Sequence, residues 1–81
     1  MISTNQLRAA RVLLRWTAQE LADASNVGVA TIRRIEVMDG IPVGRHARTL
    51  AAIQAALEAA GIEFIGSPDS GPGVRLFFNK T

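Results

Sequence analysis

The side chains able to do chemistry in this 81-residue chain are mostly arginines, eight of them beside one lysine. Arg33 and Arg34 are adjacent, and Arg45, His46 and Arg48 form a second group further on. A guanidinium stays charged and presents a rigid fork of donors. That fork matches a phosphate, a carboxylate or the O6/N7 edge of guanine. Nine Lys and Arg stand against seven Asp and Glu, a formal charge of +2. The sequence pI near 10.5 reflects arginine over lysine and the lack of Tyr and Cys. So small an excess does not by itself announce a nucleic-acid binder.

Other chemistries are poorly provided for. With one His and no Tyr, acid/base groups are scarce. Without Cys there is no thiol nucleophile, disulfide framework or Cys-ligated zinc. Neither an enzyme nor a cofactor is expected. No apolar run approaches the roughly 20 residues of a membrane span. The start, Met-Ile-Ser, lacks the basic and apolar regions of a signal peptide, so a soluble cytoplasmic protein is expected. Apolar residues make up 48% of the chain, the composition of one globular domain.

The elements that must position the arginines announce themselves by their caps. Ser3 and Gln6 have capping-box spacing, and Ile2 and Leu7 stand where a hydrophobic staple would. The helix they open runs to about Leu14. Its stripe of Leu7, Ala10, Arg11 and Leu14 contains one arginine, a charge that needs a partner. The same device recurs with Thr17 and Glu20 as box and Trp16 and Leu21 as staple. This second helix ends near Ala24, because Ser25-Asn26 is a turn signal and Asn tolerates left-handed geometry. A third helix, about 28–37, opens on Gly28, with Val27 and Ile32 as staple. Ile32 and Ile35 form its inner face, while Arg33 and Arg34 point elsewhere.

A loop over 38–45 precedes a fourth helix from about His46 to Ala59, with Leu50, Ile53 and Leu57 inward and Gly61 beyond its end. The period then changes. Residues 62–65 and 74–78 read as strands, joined by an eight-residue Gly/Pro/Ser linker over 66–73 as a looped hairpin. A lone hairpin is marginal in water. The apolar residues Ile62, Phe64, Val74, Leu76, Phe77 and Phe78 cannot all share one face. One face is expected on helix 4 and the other on a second chain, giving a twofold homodimer. Whether the strands pair within or between chains stays open.

Two short helices joined by about four residues, with small Ala22 at their crossing, suggest a helix-turn-helix. Here the chain resembles the Xre (Cro/CI-type) family of helix-turn-helix regulators. The likeness is carried by Leu7-Arg8-Ala9-Ala10-Arg11, Trp16-Thr17-Ala18-Gln19-Glu20-Leu21-Ala22, and Val27 through Ile32-Arg33-Arg34-Ile35-Glu36. It covers residues 3–59. The tail, with Gly61-Ile62-Glu63-Phe64 and Gly71-Pro72-Gly73-Val74-Arg75-Leu76, is similar to small bacterial members with a β-hairpin in place of a fifth helix. The implied fold is mainly α: a four-helix, lambda-repressor-like domain over 1–60 and a hairpin tail over 61–81.

The resemblance implies roles. Arg11 would pair with Glu36, locking the first helix to the third. The third helix would be the recognition helix, with Val29, Ala30, Arg33 and Arg34 facing the major groove of double-stranded DNA. Arg34 would contact a base, Arg33 a base or a phosphate, and Val29 and Ala30 thymine methyls. Thr17, Gln19 and Gly28 would meet phosphate on one flank, and Arg45, His46 and Arg48 on the other. His46 also reads as a solvated loop residue. Ala18 stands where the family usually has Gln, so Gln19 is expected to take over a phosphate contact. Val29 and Ala30 replace residues that are often polar. Direct readout is therefore sparse, and shape and phosphate contacts carry more. The acids Glu20, Asp23 and Glu58 are expected away from this surface. The competing reading is a protein-interaction module, an antitoxin or antiactivator, whose apolar hairpin grips a partner protein.

Overall fold

A computed structural model describes residues 2–38, 40 and 44–77, with the side chain of Arg45 left out of that description. Phe78, expected at a dimer interface, lies outside the described residues. Four α-helices precede one antiparallel hairpin. These are α1 (Thr4–Leu13), α2 (Ala18–Ser25), α3 (Val29–Glu36), a 3-10 turn at Gly44–His46, α4 (Ala47–Ala59), β1 (Ile62–Ser67) and β2 (Ser70–Leu76).

Both predicted capping boxes are formed. Ser3 Oγ accepts from Gln6 N at 3.1 Å, and Gln6 Oε1 accepts from Ser3 N at 3.0 Å. Thr17 and Glu20 repeat this at 3.1 and 2.8 Å. Each box satisfies two backbone donors that a helix start leaves free. α2 ends at Asn26, whose φ of 58° is left-handed as its residue type allows. α1 ends less conventionally. Arg15 has φ 59° at a position where Gly is usual. Its N–H donates to Val12 O at 2.9 Å, and Trp16 N–H to Arg11 O at 3.0 Å.

The core draws on every helix and on the hairpin. Leu7, Leu21, Ile32, Ile35, Leu50, Ile53, Leu57 and Ile62 are fully buried. Ile2 and Leu7 are both buried, as the staple requires, and Trp16 packs half-buried on the same cluster. α2 and α3 cross over buried Ala22, where a larger side chain would hold them apart.

The linker over 66–73 corrects the expected loop. The turn is only Pro68-Asp69, and the residues on either side belong to the strands. The register pairs Ile62 with Leu76, Phe64 with Val74, Ile65 with Gly73 and Ser67 with Ser70. Gly71 and Pro72 together oppose Gly66, a bulge. Gly66 has φ 72°, and a Cβ there would lie 2.0 Å from Gly71 O. The glycines that read as loop are thus the ones that let two backbones close into a bulged ladder.

Val74, Leu76 and Phe64 turn inward onto the core cluster with Ile62. The opposite face bears the Glu63–Arg75 ion pair and half-open Ile65. Phe77 lies just beyond β2, with the Arg75 guanidinium 5.4 Å from its ring. Phe77 N–H donates to Gly61 O at 2.9 Å. Gln6 Nε2 donates to Ile65 O at 3.2 Å and Gly73 O at 3.1 Å, tying the start of α1 to both strands.

Candidate nucleic-acid interface

α3 divides cleanly around its axis. Ile32, Ile35 and Glu36 face inward and are buried, while Ala30, Arg33 and Arg34 are exposed. Val29 differs from its expected placement: it is half-buried and packs against the core. The exposed line continues to Val37, which is 78% exposed. Residues 30, 33, 34 and 37 follow the i, i+3, i+4, i+7 spacing of one helix face. Three of them were marked by the sequence. Val37 was not, since a valine closing a helix reads as core.

Helix 1 fixes the pose of this face. Arg11 Nε meets Glu36 Oε2 at 2.7 Å and Arg11 Nη2 meets Glu36 Oε1 at 3.1 Å, a two-pronged pair. The side chains are 21% and 10% exposed. The remaining prong of Arg11, Nη1, donates to Trp16 O at 2.9 Å. Three further bonds reach the same end of α3. Arg8 Nη1 donates to Glu36 O at 2.7 Å, Thr4 Oγ1 to Met38 O at 2.8 Å, and Thr4 N to Gly40 O at 2.9 Å. Arg8 is itself held by Asn5 Oδ1. Nothing in residue spacing marks Arg8 or Thr4 for this work, because their acceptors are backbone carbonyls some 30 residues away.

The flanks carry the remaining expected residues. Thr17 is exposed, but its hydroxyl and N–H are engaged in the box with Glu20. The N–H groups of Ala18 and Gln19 take no part in that box. Gln19 Nε2 donates to Asp23 Oδ1 at 3.0 Å. Gln19, Asp23, Gly28 and Val29 line one shallow groove between α2 and the start of α3. Asp23 therefore lies beside the recognition surface, not away from it. The crossing of α2 and α3 brings the outer face of α2 close to Gly28. On the other flank, half-buried His46 ends the 3-10 turn and Arg48 is exposed in the first turn of α4. Of Arg45 the structure describes the backbone only.

Among the described residues, no group of three His, Asp or Glu could hold a metal ion. No described helix is long and apolar enough to cross a membrane. The expected dimer residues are placed unevenly. Ile62 is 1% exposed within its own core, Phe64, Val74 and Leu76 are packed on that core, and Phe77 is 45% exposed.

A family model described as "Helix-turn-helix" matches residues 7–53, more than half of the chain. No curated protein and no solved structure matches the chain significantly. The matched span runs from Leu7 of α1 through Ile53 of α4, and so takes in most of α1, all of α2 and the exposed arginines of α3. The chain belongs to the helix-turn-helix family of Xre (Cro/CI) type and carries that family's DNA-binding regulatory domain.

Proposed function

We propose that the protein regulates transcription as a homodimer on a near-palindromic operator, with α3 of each copy in the major groove. The observation that carries this reading is the division of α3, which buries Ile32 and Ile35 and presents Ala30, Arg33 and Arg34 to solvent. A recognition helix meets base edges with its N-terminal residues. Arg34 binds a guanine edge, Arg33 a base or phosphate, and Ala30 a thymine methyl, with half-buried Val29 reaching the same groove at its edge. Thr17, Gln19 and Gly28 meet phosphate on one side, and Arg45, His46 and Arg48 on the other. The site of action is the nucleoid, in the cytoplasm.

Selection of bound duplexes from random DNA at stated salt tests this reading. The expected result is a two-part motif with half-sites about one helical turn, ~34 Å, apart. On that motif Arg34→Ala costs about 1–3 kcal/mol and relaxes preference at one position per half-site. Recovery of no motif would favour the interaction module, an antitoxin or antiactivator with a protein partner. Unchanged affinity and preference in Arg34→Ala would remove that residue from base reading.

A further inference from the structure

The outer face of α1 is apolar where a solvated helix would carry charge. Val12 is 63% exposed and Leu13 43% exposed. With Ala9 they occupy i, i+3 and i+4, a ridge on the side of α1 away from the core. Beside this ridge runs a trough whose walls are Ala9, Val12, Leu13, Leu76 and Phe77, with Arg15 at its rim. No acidic side chain lines it among the described residues.

We infer that this ridge and trough are the contact between two copies of the chain, packed about a twofold axis. The inference rests on the homodimer proposed above and names its surface. A twofold contact must be self-complementary, the same patch serving on both sides. Ala9, Val12 and Leu13 with Leu76 and Phe77 form one continuous apolar patch, which two copies can bury against each other with α1 facing α1. Small Ala9 lets the two helices approach closely. Among the described residues the hairpin offers no comparable surface. Ile62, Phe64, Val74 and Leu76 already pack on the chain's own core, and its outer face carries the Glu63–Arg75 pair. The extent of the patch is also suitable. The exposed parts of Val12, Leu13 and Phe77 supply the apolar centre that an interface of roughly 800 Å² per partner with a polar rim requires. Among the described residues Arg15 is the one charged side chain that lines the trough, and the other lining side chains are apolar.

The contact also leaves the DNA surface free. Arg8 and Arg11 reach from one side of α1 to the end of α3, while Val12 and Leu13 lie on the outer side beside Phe77. The two surfaces are separate flanks of one helix.

Sedimentation equilibrium on the full chain, alone and as Val12→Glu and Phe77→Ser, tests the inference. Val12 is on the helix surface, flanked by Arg8 and Arg15, so a glutamate there does not disturb folding. The far-UV circular dichroism spectrum and the cooperativity of thermal melting check this. The expected result is a dimer dissociation constant raised about 100-fold or more in Val12→Glu, because a hydrated carboxylate would replace an apolar contact at the centre of the interface. Phe77→Ser weakens the dimer in the same direction, while both variants melt cooperatively and keep the parent's helical spectrum. A parent chain that dimerises and variants within roughly threefold of it would overturn this surface and leave the homodimer standing. A parent chain that stays monomeric at about 100 µM, free and on its selected DNA, would overturn the homodimer and this surface together.

Discussion

Asp23 shows how a single side chain sets the balance of the DNA surface. Its carboxylate accepts from Gln19 and lines the groove at the start of α3. A phosphate approaching Gly28 or Gln19 meets that negative charge. Asp23→Asn keeps the acceptor for Gln19 and removes the charge. It should tighten binding to all duplexes about equally, by roughly 2–5-fold at low salt, an effect that fades as salt rises. Fluorescence titration against two unrelated sequences checks it; a gain on one sequence only would mean that Asp23 reads a base. The residue scale is also where the sequence is least legible. Arg33 and Arg34 stand out by type, and Arg11 by being charged on an apolar stripe. Val37 and Asp23 do not, because their roles come from the direction in which a short helix exits and from the neighbour it crosses.

At the scale of elements, α1 and α3 act as one piece. The Arg11–Glu36 pair is nearly closed off from solvent and both guanidinium–carboxylate prongs are made. Removing one partner leaves the other buried and unpaired. Glu36→Ala should therefore destabilise the fold by about 3–5 kcal/mol, whereas Arg11→Met with Glu36→Leu should recover much of that loss. Urea unfolding of the two variants measures this directly, and a double variant as unstable as the single one would assign the loss to something other than the orphaned arginine. Helices and caps were legible because a capping box is a local event, decided by residues three apart. The hairpin was legible in kind but not in extent. Gly66, Gly71 and Gly73 carry no side chains to show alternation, and the bulge they permit becomes visible only when the strands are paired.

At the scale of the molecule, the proposed pair of copies on one operator would double every phosphate contact. Each neutralised phosphate contributes about −0.9 to the slope of log affinity against log salt. In that proposed complex Arg48→Ala would remove one contact per copy, so the slope on a selected operator should fall by roughly 2, and by roughly 1 on a duplex bearing a single half-site. Titration across a range of salt concentrations distinguishes these values. Equal changes on the two duplexes would mean that one copy binds. An excess charge of +2 foretold little of this. What matters is where the arginines stand: Arg11 is turned inward against Glu36, while Arg33, Arg34 and Arg48 are exposed.

Gln6 ties the beginning of the chain to its far end in time as well as in space. Its Oε1 closes the first cap within four residues, but its Nε2 waits for carbonyls of residues 65 and 73. On the ribosome, the first helix can start early and yet stays loosely held until the second strand has emerged. A nascent chain therefore completes this tie only after Gly73 has been made.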